Sequence, residues 1–224
     1  MMKINLFITL LLTIPLFSQD NGILENQLQL PNDVRWVTES KEYNKLCMQI
    51  YRSAWRIIRN VYAEDRVIIM DLDETVLDNS QYQIDLFLNS QSFNLDSWNN
   101  FVRREISTLV PGAKEFITSY KSNKDAKIIF LSNRSAETLK ATKNNMKALD
   151  VYYKNDIFLL KENEGDSKLV RRLEVFEGKG RMKKYGPLSV IAYFGDAIGD
   201  FPDDKNYEFG INKFIFPNPM YGKW

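Results

Sequence analysis

Five short runs of consecutive apolar residues recur along the chain: Val67–Met70, Ile128–Leu131, Ile157–Leu160, Val190–Phe194 and Phe214–Phe216. Turn or acidic residues follow each run, and segments of helical spacing near Pro111–Tyr120, Ser135–Leu149 and Asp166–Phe176 separate the first four. A strand that is apolar on both faces needs cover on both, and strands alternating with helices are joined by crossovers. The pattern therefore predicts an α/β fold, a parallel sheet with helices on both faces. In such sheets ligands bind beyond the carboxyl ends of the strands, so chemistry is to be sought in the residues just after each run.

Two stretches depart from this rhythm. From Asn32 to about Tyr62 the apolar positions, among them Val34, Val37, Tyr43, Cys47, Tyr51, Ala54 and Ile58, fall at helical spacing behind a Pro31-Asn32 stop and cap. Residues Asp78–Val110, rich in Asn, Gln, Ser and aromatics, read as a small helical cap inserted over the end of the first strand. At the start, Lys3 precedes an apolar run from Ile4 to Phe17, then Ser18, Gln19 and Asp20. That is the order of a secretory signal peptide, and the run falls short of the roughly 20 residues of a spanning helix. The expectation is a signal peptide over residues 1–18, cut near Ser18, and one exported domain over 19–224, periplasmic or secreted. An uncleaved anchor is the alternative.

Composition removes several kinds of chemistry. The 224 residues contain no histidine, which excludes Ser-His-Asp triads, histidine-zinc sites and phosphohistidine enzymes. One cysteine, Cys47, gives no disulfide within the chain and no multi-cysteine metal site; its place in the helical stripe marks it as a buried apolar residue. Thirty basic against 29 acidic side chains give no field for a nucleic-acid polymer, and the basic stretch Lys179–Lys184 reads as a solvated loop.

What remains is carboxylate chemistry. The first run leads into Asp71-Leu72-Asp73-Glu74-Thr75, whose two aspartates at i and i+2 point the same way at a strand end. Acids this close repel, so one is held protonated unless a cation joins them. The fourth run leads into Gly195-Asp196-Ala197-Ile198-Gly199-Asp200, a third and fourth carboxylate at the same edge. Oxygen donors without histidine suit Mg²⁺, although Asp196 and Asp200 alone read equally as turn residues. The second run ends in Ser132-Asn133-Arg134, a hydroxyl followed by a helix N-terminus that favours an anion, or simply an N-cap. Lys168 opens the helix after the third run, either to neutralise a phosphoryl oxygen or as a solvated residue.

Asp71-x-Asp73-x-Thr75, Ser132, Lys168 and Gly195-Asp196-x-x-x-Asp200, in this order and each after an apolar run, resemble the four motifs of the haloacid dehalogenase (HAD) superfamily. DLDETVLDNSQY, PGAKEF, LSNR, PNPMYGKW and RWVTESKEYNKL resemble, more narrowly, the bacterial class C acid phosphatases, the lipoprotein-type 5′-nucleotidase family. The resemblance implies a HAD-like Rossmannoid sheet and Mg²⁺-dependent hydrolysis of small-molecule phosphate monoesters, nucleoside monophosphates foremost. It implies Asp71 as nucleophile, Asp73 as general acid and base, and Ser132 and Lys168 as phosphate-binding residues. It further implies Asp71, Asp73 (through its backbone carbonyl) and Asp196 as metal ligands supported by Asp200, with Trp98 and Tyr221 against a nucleobase.

Some positions depart from that family. The fourth motif reads GDAIGDF, Phe101 stands where a second tryptophan is usual, and no lipobox cysteine is present, so no stable membrane anchor is expected. Two other readings share the fold: a non-catalytic exported storage or binding protein, and a phosphotransferase.

Overall fold

The structure is a computed structural model that describes residues 29–61, 66–123 and 125–222. Its elements, in chain order, are α1 (Asn32–Glu39), α2 (Lys41–Ile58), β1 (Arg66–Met70), β2 (Leu77–Asp78), α3 (Ser80–Leu88), α4 (Leu95–Arg103) and β3 (Thr108–Leu109). There follow α5 (Ala113–Tyr120), β4 (Lys127–Ser135), α6 (Leu139–Ala148), β5 (Ile157–Lys161), α7 (Lys168–Glu177), β6 (Ser189–Gly195) and β7 (Lys213–Ile215). The residues of the expected signal peptide lie outside the described ones. Among the described residues no helix is long and apolar enough to cross a membrane.

The five apolar runs form one sheet in the order β5-β4-β1-β6-β7, every neighbouring pair parallel. The chain builds outward from β1 through β4 to β5, then crosses to β6 and β7 on the other side. The carboxyl end of the central strand β1 is therefore the switch point where a crevice opens. Alternation along the strands loads both faces. Ile68, Met70, Ile128 and Phe130 pack with α2 and α5, while Val67, Ile69, Ile129 and Leu131 pack with Val175 of α7 and with Met182. In β6 the register shifts, so that Val190 pairs with Val67 but Ala192 with Ile68. The extra residue, Ile191, re-phases the strand before it delivers its acidic end.

The helical stripe after Asn32 is two helices rather than one. Ser40 takes an extended conformation between α1 and α2, and its hydroxyl accepts from the Tyr43 amide at 3.0 Å. A serine that can cap the next helix gives the chain a local alternative to continuing the first. Trp36 and Tyr43 meet edge to face across the break, and Tyr62 lies outside the described residues. The other correction falls at Ser132. No helix begins there; β4 runs on to Ser135, and α6 starts only after a short turn over Ala136–Thr138.

The insertion folds as α3 and α4 between two short strands that pair antiparallel, Leu77 with Leu109 and Asp78 with Thr108. Its apolar centre is Tyr82, Leu86, Trp98, Phe101 and Val102, closed from the body of the protein by Ala141 of α6. Glu137 clasps it by accepting from Asn99 and Arg103, each at 2.8 Å.

From the opposite face α2 reaches the loop after β1. The buried Tyr51, packed among Phe116, Phe194 and Phe216, donates its hydroxyl to the Thr75 carbonyl at 2.5 Å. Tyr51→Phe keeps the ring and strands that carbonyl, so chemical denaturation should show a loss of about 1–3 kcal/mol. An unchanged midpoint would mean the bond contributes nothing to the fold.

Candidate active site

The ladder extends one residue past β1, where the Asp71 amide donates to the Phe194 carbonyl at 2.9 Å. The chain then coils tightly. Val76 and Leu77 both donate to the Leu72 carbonyl, and Glu74 donates to that of Leu77 with its own backbone left-handed, at φ 53°. Strand alternation thus ends at Met70, and the carboxylates of Asp71 and Asp73 take different partners.

Asp71 belongs to a buried charge cluster. Lys168, the first residue of α7, donates to Asp71 Oδ1 at 2.6 Å and also to Asp200 Oδ1. Asp200 both pairs with this lysine and caps its own turn, since Oδ2 accepts from the amides of Asp196 and Ala197 at 3.1 and 3.0 Å. That fold-back requires Gly195, because a Cβ there would fall on the Asp200 side chain. Asp196 Oδ2 accepts from Asn218 at 2.8 Å.

Burial drives Asp71 well above the ordinary carboxylate range; Lys168 pulls it back, while Asp200 and Asp196 add to the rise. Burial and then Asp200 push Asp196 up to about 6. Burial also opposes the charge on Lys168, but Asp71 and Asp200 outweigh it and hold the ammonium above the usual lysine range. Asp71, Asp196 and Asp200 offer carboxylate oxygens within 4.8 Å of one another. Three carboxylates against one ammonium leave two negative charges when all are ionised, which a divalent cation neutralises. The donors are all oxygen, as a hard ion prefers.

Asp73 faces the cap. Its Oδ1 accepts from Arg134 Nε at 2.8 Å and Asn79 Nδ2 at 3.0 Å, and its Oδ2 accepts from Ser132 Oγ at 3.2 Å. Ser132 Oγ in turn accepts the Arg134 amide. The buried Arg134 also donates to Asn79 Oδ1 and Thr142 Oγ1 and lies 5.7 Å from the centre of the Trp98 ring.

The fold therefore brings together Asp71, Asp73, Ser132, Lys168, Asp196 and Asp200 from four strand ends. Trp98 is nine-tenths buried, stacked on Phe101 and edge-on to Tyr82, so it is part of the cap's interior. Tyr221 is exposed. Sequence reasoning passed over Arg134, Asn79, Asn218 and the fully buried Arg171, although three of them stand inside the motifs that carry the resemblance. The signal for Arg134 was an arginine directly after a buried strand end, where a charge needs a carboxylate partner.

The whole of residues 21–224 matches the family described as HAD superfamily, subfamily IIIB (acid phosphatase). The chain belongs to that family. Two solved structures of the class C acid phosphatase from Bacillus anthracis are similar to it. One has tungstate bound, at 24% identity, and the other is 25% identical; each has a TM-score of 0.70 and covers 85% of this chain and 84% of its own. The protein is thus a HAD-type phosphomonoesterase, and the acidic cluster is where this family's divalent metal would fit.

One part of the pH response of the metal-free phosphatase comes from Asp196. Its folded pKa is raised, so the folded state binds the proton more tightly than the unfolded chain. Stability should fall as pH rises from about 4 through about 6, then level off. Relative to Asp196→Asn, the chelated wild type should lose several degrees of Tm between pH 5 and 7, at about 2–4 °C per kcal/mol for a domain of this size. Parallel curves for the two proteins would show that Asp196 titrates as an ordinary carboxylate.

Proposed function

We propose that this phosphatase is an exported, Mg²⁺-dependent enzyme that hydrolyses small phosphate monoesters, nucleoside monophosphates among them, through a phosphoryl group carried on Asp71. The observation that supports this most is the separation of the two first-motif aspartates. Asp71 is held by Lys168 beside Asp196 and Asp200, and Asp73 hangs from Arg134, Asn79 and Ser132 on the cap side. A nucleophile must meet phosphorus, and an acid must meet the leaving oxygen on the far side. One carboxylate on each side suits that division.

In the first step an Asp71 oxygen forms a bond to phosphorus as the ester P–O bond breaks, and Asp73 gives its proton to the departing alkoxide. In the second, water forms the new P–O bond, Asp73 takes its proton, and the Asp71–phosphorus bond breaks to release inorganic phosphate. Lys168 offsets the repulsion between a phosphate dianion and a carboxylate, and the Ser132 hydroxyl is a donor at the same edge. Asp71, Asp196 and Asp200, with the Asp73 backbone carbonyl, are the groups that would hold Mg²⁺, which supplies charge stabilisation at the phosphoryl oxygens when bound. The exposed Tyr221 ring is free to meet a planar leaving group, whereas Trp98 serves the cap from within. The apolar stretch Ile4–Phe17 supports export by a cleaved signal peptide over residues 1–18.

Asp71→Asn should lower kcat on p-nitrophenyl phosphate by at least about 10³-fold while the far-ultraviolet circular dichroism is retained. Near-normal turnover in that variant would remove the nucleophile assignment. Exhaustive chelation should abolish activity and Mg²⁺ restore it, and turnover that survives chelation would remove the metal. A kcat/KM panel of nucleoside monophosphates against sugar phosphates tests the substrate, and equal values across it would leave Tyr221 with no part in choosing the leaving group.

A further inference from the structure

The ladder between β4 and β5 breaks at the site. Ser132 pairs with Leu160 and Ser135 with Lys161, so Asn133 and Arg134 are surplus residues that bulge from the strand end. Arg134 turns inward to Asp73, whereas Asn133 stays exposed. A bulge next to a reactive group re-aims side chains, and at this strand end the aiming is done by Arg171.

Arg171, on the inner face of α7 one turn after Lys168, has no exposed surface. Its Nη1 donates to the Ser132 carbonyl at 2.5 Å and the Leu159 carbonyl at 2.9 Å, tying the ends of β4 and β5 together. Its Nη2 donates to Asn133 Oδ1 at 2.7 Å and to the Asp166 carbonyl at 3.2 Å. A guanidinium has donors only, so the Asn133 amide must turn its oxygen toward Arg171. Asn133 Nδ2, with two N–H groups and no partner among the described residues, belongs to an exposed residue directly after Ser132.

Resting on the reading of the site as a phosphoryl-transfer centre, we infer that Asn133 donates from Nδ2 to a phosphoryl oxygen of the substrate and that Arg171 is the positioning residue that holds it in that orientation. One arginine thereby sets Ser132 and Asn133 from the helix that also supplies Lys168. The phosphate-binding groups of two chain segments then move as a unit.

The test uses Asn133→Asp, Asn133→Ala and Arg171→Lys, read by KM, by inhibition with inorganic phosphate, and by calorimetric phosphate binding in Mg²⁺. An aspartate at 133 keeps a partner for Arg171, so thermal stability should match or exceed the wild type. It also replaces a donor by an anion facing phosphate, and phosphate affinity should fall by about 100-fold or more, against about 10-fold for Asn133→Ala. If Asn133 served only to satisfy Arg171, Asn133→Asp would bind phosphate like the wild type, and that result overturns the proposal. Arg171→Lys should weaken phosphate binding more in the wild-type background than in Asn133→Ala; equal losses in both would overturn the positioning role. Should Arg171→Lys not fold, the two Asn133 variants decide the matter alone. A wild type that binds phosphate without turning over would sink the phosphatase mechanism while leaving the binding comparison readable.

Discussion

A single buried ammonium organises the reactive end of this molecule. Lys168 touches Asp71 and Asp200, residues 97 and 32 positions away in the chain, and so joins the ends of β1, α7 and β6. Burial and mutual repulsion favour protons on Asp71 and Asp196, and Lys168 opposes that rise at both. Much else follows from accommodating that cluster. β1 sits at the centre of the sheet with its acidic end at the switch point, β6 carries a bulge that re-phases it, and Gly195 lets Asp200 fold back beneath the strand.

Around this cluster the protein uses arginines as fixed struts. Arg134 links the Asp73 carboxylate to Asn79 at the entry to the cap and to Thr142 of α6. Arg171 links two strand ends to the helix of Lys168. A planar guanidinium with five donors suits this work better than a flexible ammonium, because one group can serve several carbonyls and carboxylates at fixed angles. The tight coil between Asp71 and Leu77 is held by Tyr51 of α2, through the Thr75 carbonyl.

The sheet and its acids were legible because their signals are local. A run such as Val67–Met70 can satisfy its side chains only inside a covered sheet, and DLDET places charge where such a strand must end. The break at Ser40 was hidden because the apolar spacing continues across it, so only the hydroxyl's affinity for the next helix marked the boundary. At Ser132 the same affinity misled in the other direction. The serine bonds to Arg134 and Asp73 within a strand, and no helix follows at once. Trp98 shows a third case: an aromatic in a polar insertion looks free to meet a ligand, yet the cap needs it for its own interior. Arg171 was passed over because its partners are mostly backbone carbonyls, which carry no residue identity that a sequence can display.

The cap's interior meets the rest of the protein's apolar packing through one alanine, Ala141. Its polar ties run to Glu137, which receives both Asn99 and Arg103, to Arg134 through Asn79, and to α6 through Glu105 and Ser107. The strands of the sheet contribute no residue to that apolar interior. Descendants of this chain can therefore trade one leaving group for another by rewriting some thirty residues, while the machinery that handles phosphorus is inherited intact.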